Sequence, residues 1–173
     1  PTYLNRYIKN DVLEGMANGS LNYTVKGICI GIKVTWHYTP PTNGGDTFTS
    51  IKKGSKATLK IVQDEKNGFV KELYIQKEPD IDNRTFEAQL QKTVEQLQIT
   101  YPFLSVKNKK NGTYLIDIPQ EKRLGHEEHF SKVAKAFLHY VHNQDMPEWE
   151  NENTLAKYYI TTTAVEMAKK GNK

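Results

Sequence analysis

Between residues 11 and 77 apolar and polar positions alternate with the two-residue period of β-strands. Val12 to Met16 leads into Asn18-Gly19, a strong hairpin signal, and Leu21 to Val25 leads through Lys26-Gly27 into a long third strand. In that strand Ile28, Ile30, Ile32, Val34, Trp36 and Tyr38 share one side, and Cys29, Gly31, Lys33, Thr35 and His37 share the other. Alternation over this length predicts one buried face and one small, polar outer face. Pro40, Pro41, Asn43, Gly44 and Gly45 then break the strand. Thr47 to Lys52, Ala57 to Gln63 beyond Gly54, and Phe69 to Ile75 beyond Asn67-Gly68 complete an antiparallel meander.

After Pro79 the period lengthens. Phe86, Leu90, Val94 and Leu97 form a helical stripe with Asp82 or Asn83 as the N-cap. Tyr101 to Val106 and Thr113 to Ile118 read as a hairpin around Asn111-Gly112. A helix from His126 to His142 places Phe130, Val133, Ala134, Phe137 and Val141 on one face. Met146-Pro147 interrupts it, and a last helix runs from Asn153 to Lys170, ending at Gly171. That helix has two stripes, Ala156, Ile160, Ala164 and Met167 on one side and Leu155, Tyr159, Thr162 and Glu166 on another, so it could be covered twice.

Composition narrows the class. The 173 residues suit one compact α+β domain, and no run approaches the ~20 apolar residues of a membrane span. A single Cys29 allows neither an intrachain disulfide nor a cysteine zinc site. The net charge of +4 is weak and its lysines fall in short separate groups, which argues against nucleic acid as a partner. A first residue of Pro1 rather than Met points to a chain cut from something longer.

Candidate chemistry is sparse. His126-Glu127-Glu128-His129 is one residue short of the zincin spacing, and its place at a helix start favours capping and packing over a metal. No serine has a nucleophile-elbow context, and no Gly-x-Gly-x-x-Gly occurs. The unusual segment is Pro41 to Ser50. Gly44-Gly45 permits close approach, and Asp46, Thr47 and Thr49 offer short polar groups near the end of a strand carrying Trp36, His37 and Tyr38. That set suits a polyhydroxylated ligand held by hydrogen bonds and an aromatic face. The competing reading is a plain glycine turn.

Several motifs taken together resemble one family. They are Ala17-Asn18-Gly19 with Asn22-Tyr23-Thr24-Val25-Lys26-Gly27, the strand end Trp36-His37-Tyr38, Pro41 with Gly44-Gly45-Asp46-Thr47, and Lys53-Gly54-Ser55-Lys56-Ala57. Gly125-His126-Glu127-Glu128-His129-Phe130, Met146-Pro147 and Leu155 through Ala168 continue the match. The whole chain resembles the C-terminal domain of the glucose–fructose oxidoreductase / inositol dehydrogenase (Gfo/Idh/MocA) family, nearest the subgroup of putative oxidoreductase C-terminal domains.

The resemblance implies an open, mainly antiparallel β-sheet with helices packed on one face, a single substrate-side and oligomerisation domain over residues 1–173. It implies that an N-terminal Rossmann domain, absent from this chain, holds NAD or NADP, that the fragment alone binds no cofactor or metal and is not catalytic, and that a homodimer forms through the sheet. Trp36, Tyr38, Asp46, Thr47 and His126 are then the expected contacts to a sugar-like substrate. Phe48 departs from the histidine expected after Gly-Asp-Thr, and the upstream catalytic motifs lie outside this sequence. A stand-alone carbohydrate-binding or interaction module, and an NAD-dependent glycosidase as the intact protein, remain open alternatives, as do cytoplasm and periplasm.

Overall fold

The computed structural model describes residues 2–13, 15 and 18–171. The chain divides into two compact units, residues 1–39 with 138–173, and residues 40–137.

In the first unit a 3₁₀ turn, Thr2–Tyr7, precedes a short ladder of β1 (Ile8–Lys9) and β2 (Val12–Leu13). Asn10 and Asp11 both adopt positive φ at its turn, the conformation a two-residue hairpin requires. The expected strand from Val12 to Met16, paired across Asn18-Gly19, is therefore corrected: β2 turns back on β1. Glu14, Met16 and Ala17 lie outside the described residues. The Asn18 side chain instead accepts the Trp36 N–H at 2.6 Å and meets His37 Nδ1 at 2.7 Å.

β3 (Gly19–Val25) and β4 (Ile28–Val34) form a two-stranded ribbon closed by Lys26 and Gly27, both at positive φ. The long third strand is a second correction. It ends at Val34, and its apolar side is not buried, since Ile28, Ile32 and Val34 are exposed. A strand buries a face only when a further layer covers it, and a lone ribbon has none.

The second unit holds the core. β5 (Phe48–Lys53), β6 (Ala57–Gln63), β7 (Glu72–Lys77), β8 (Ser105–Asn108) and β9 (Thr113–Asp117) form an open antiparallel sheet in the order β5-β6-β7-β9-β8. The turn before β7 uses Gly68 and Phe69 at positive φ, and the hairpin between β8 and β9 uses Lys110, Asn111 and Gly112 likewise. Helix α1 (Asn83–Gln98) starts at Asp82, whose carboxylate accepts the Thr85 N–H at 2.8 Å and is held below the usual carboxylate range by that bond. It covers one sheet face. Val94 is buried, and the Phe86 ring lies 5.7 Å from that of Tyr114, which is buried on this face with Ile116, while Leu115 is buried on the opposite face beside Tyr74 and Lys107.

α2 (His126–Asn143) and α3 (Glu148–Gly171) follow; neither carries a fully buried residue. α3 begins five positions before the expected Asn153, because Pro147 turns the chain directly into the helix and its carbonyl accepts the Glu150 N–H at 3.0 Å. Among the described residues no helix is long and apolar enough to cross a membrane.

Candidate site at one end of the five-stranded sheet

Strand register decides which polar residues meet. Phe48 at the start of β5 faces Gln63 at the end of β6, Val62 faces Glu72 at the start of β7, and Leu73 faces Ile116 near the end of β9. The segment entering β5 and the segments leaving β6 and β9 therefore share one end of the sheet.

That entering segment is built on a tight turn. The Gly44 N–H bonds the Pro41 carbonyl at 2.7 Å, with Asn43 at positive φ between them. A Cβ on Gly44 would sit 2.8 Å from the same carbonyl oxygen, so only glycine fits. Gly45 then lies against Phe69, and the Asp46 carbonyl accepts from Gln63 Nε2 at 2.9 Å. Lys71 Nζ stands 5.1 Å from the Phe48 ring centroid, a cation over an aromatic face.

Arg123 ties the end together. Its Nε donates to the Ile118 carbonyl at 3.0 Å and a terminal guanidinium nitrogen to the Lys71 carbonyl at 2.6 Å, so the chain leaving β9 is clamped onto the start of β7. His126 comes three residues later, and three extended residues span at most about 11 Å, so α2 starts at this same end. The His126 ring packs on Phe130 with centroids 4.8 Å apart, and Glu128 accepts the Gly125 N–H at 2.8 Å, a side-chain cap on the helix start.

Of the five residues singled out in the sequence, Asp46, Thr47 and His126 come to this end. Trp36 and Tyr38 belong to the other unit, in the irregular segment after β4, with Trp36 73 % exposed. Gln63, Lys71 and Arg123 were not singled out. Nothing in their local sequence marks them, since strand register and one long-range arginine contact bring them in.

On the sheet's open side Tyr74 donates to Glu72, and that bond, with burial and the Glu72 charge, pushes the phenol up to about 12. Lys107 and Asp117 pair at 2.6 Å across β8 and β9. The end cluster itself offers a carboxylate, an ammonium, an amide, a hydroxyl and an imidazole, which together can donate to and accept from several hydroxyl groups of one ligand.

These features define an α+β domain with an open antiparallel sheet, one helix-covered face, and hydrogen-bonding side chains gathered at one sheet end. The chain belongs to the family described as putative oxidoreductase C-terminal domain, whose model matches residues 1–169. It is also similar to the crystal structure of a putative oxidoreductase from Parabacteroides merdae ATCC 43184, with a TM-score of 0.89 and 37 % identity over 99 % of this chain. The chain spans 39 % of that protein's length. No curated protein matches it.

Proposed function

We propose that this chain is the substrate-side domain of a longer NAD(P)-dependent oxidoreductase of the Gfo/Idh/MocA type, acting on a sugar or cyclitol. The observation that carries this reading is the family match to a C-terminal oxidoreductase domain across residues 1–169. The gathering of Asp46, Thr47, Lys71 and His126 at one sheet end supports a polyhydroxylated substrate.

The dinucleotide does not fit this chain's residues. The sequence has no Gly-x-Gly-x-x-Gly turn between a strand and a helix, so on this reading NAD or NADP belongs to an N-terminal nucleotide-binding domain. What the chain supplies is positioning. The Asp46 carboxylate accepts from substrate hydroxyls, the Thr47 hydroxyl donates or accepts, and Lys71 donates to hydroxyl oxygens.

The test is turnover by the full-length protein with NAD or NADP and a panel of hexoses and cyclitols, read by nicotinamide absorbance. Asp46→Ala is expected to raise KM about 10- to 100-fold, the loss of a charged hydrogen bond, with dinucleotide affinity unchanged. Dinucleotide binding without turnover of any polyol would remove the substrate class. The absence of both would remove the oxidoreductase reading. The same reading includes a homodimer through the five-stranded sheet's open face, where Tyr74, Val62 and Ile51 lie among Lys60 and Thr49. Light scattering of the full-length protein is expected to give twice the chain mass, and a strict monomer at high concentration would refute it.

A further inference from the structure

We propose that the outward stripe of α3 is the docking surface for the N-terminal remainder of the longer chain, a proposal that rests on the two-domain reading above. At 100° per residue, Leu155, Tyr158, Tyr159, Thr162 and Val165 fall on one side of this helix. Ile160, Thr163 and Ala164 fall on the opposite side, and these three are half-buried. The first stripe is open: Leu155 is 64 % exposed, Tyr158 58 %, Tyr159 74 % and Val165 45 %.

An exposed helix face is normally charged, whereas this one presents two tyrosines, a leucine and a valine. Its Thr162 hydroxyl donates to the Tyr158 carbonyl at 2.6 Å and so needs no water, and Lys157 lies 5.3 Å from the Tyr158 ring centroid, a cation at the edge of the patch. Tyrosines at the centre with a charge at the edge is the make-up of a protein interface, since such rings bury large area at small entropy cost.

The occupant follows from chain length. The solved relative matches this domain over 39 % of its chain, and the family is a C-terminal domain, so in such a chain roughly three fifths lies largely ahead of it and is the first candidate to cover this face. Inter-domain contacts within one chain resemble transient protein interfaces, mixed polar and apolar, and a patch of two tyrosines, a leucine, a valine and a threonine suits one.

The experiment is tyrosine nitration of the full-length protein, mapped by mass spectrometry, with Tyr101, 48 % exposed in the other unit, as the internal reference. Tyr158 and Tyr159 are expected to react at least about tenfold more slowly than Tyr101, because they become accessible only when the domains part. Equal reactivity overturns the proposal. The double variant Leu155→Lys, Tyr159→Lys in the full-length chain is expected to bring Tyr158 up to the Tyr101 rate without altering the mass by light scattering. If it dissociates an oligomer instead, the face is filled by a second copy and the proposal fails. Titration with NAD and NADP separates the two levels: protected tyrosines without dinucleotide binding keep the docking surface and remove the cofactor reading, while binding with fully reactive tyrosines does the reverse.

Discussion

Tyr114→Ala is expected to destabilise the protein by about 3–5 kcal/mol, the loss found when a buried aromatic is truncated and its cavity persists. Tyr114 is only 4 % exposed, sits on β9 between β7 and β8, packs on Phe86, and donates its hydroxyl to Glu87 at 2.8 Å. One side chain therefore joins the centre of the sheet to α1. Domains are stable by only about 5–15 kcal/mol, so this variant approaches unfolding under ordinary conditions. Tyr114→Phe keeps the packing and gives up one hydrogen bond to a carboxylate, for which about 1.5–3 kcal/mol is expected. Urea melts of the three proteins provide the measurement. An alanine variant within about 1 kcal/mol of the parent would mean that α1 does not depend on this contact.

The same residue gives the alkaline limit of the fold a direction. Burial, then the bond to Glu87, raises the Tyr114 phenol above its ordinary value of 10.0, and Glu72 raises Tyr74 to about 12. In the unfolded chain both ionise near 10, so between about pH 10 and 12 the unfolded state binds fewer protons than the native state. Stability therefore holds below pH 10 and falls as pH rises through the native values. Both tyrosines are expected to absorb as neutral phenols above pH ~10, where a phenol in the unfolded chain ionises.

The sheet was legible where local chemistry and long-range pairing agree. Asn67-Gly68 and Asn111-Gly112 each favour a turn, and each stands between strands whose alternation already fixes a face, so the pairing of β6 with β7 and of β8 with β9 follows from the sequence, although β7 starts three residues after the expected Phe69 and β8 four after the expected Tyr101. The third strand failed for a physical reason. Alternation from Ile28 to Tyr38 states which residues share a side, but whether a second layer exists to bury that side is a tertiary fact, and here the ribbon ends at Val34 uncovered. The site divides the same way. Gly44-Gly45 drew attention to Asp46 and Thr47 because a glycine turn leaves a local mark. Arg123 and Lys71 are 52 residues apart, and their contact exists only because β7 and β9 are neighbours. The covering of α1 was visible through a stripe with one N-cap, whereas the two stripes of α3 did not show what covers either, and no residue of α3 is buried.

Lys77→Met is expected to cost about 2–4 kcal/mol although it substitutes a residue of similar length that suits a buried place. Lys77 is 8 % exposed at the end of β7, and its ammonium donates to the carbonyls of Glu78, Pro79 and Ile81, the segment that turns the chain into α1. Its own N–H is bonded to the Gly112 carbonyl at 2.8 Å, so the residue links the hairpin of β8 and β9 to that turn. Methionine fills the space and donates nothing, which leaves up to three carbonyls short of a partner at about 1–3 kcal/mol for each that water cannot reach. The Thr58 hydroxyl still donates to Glu78 at 2.9 Å and keeps the start of the turn on β6, so the loss falls on the later part of the turn and on α1. For a chain of this size the melting temperature is expected to drop by roughly 5–15 °C, with faster amide exchange in the first turn of α1 and little change in β5 or β6. Lys77→Arg keeps the charge and the donors and is expected to recover part of the loss, limited by the bulk of the guanidinium. A methionine variant that melts with the parent would show that the ammonium is replaceable by packing alone, and the turn would then be held by Glu78 and the Asp82 cap.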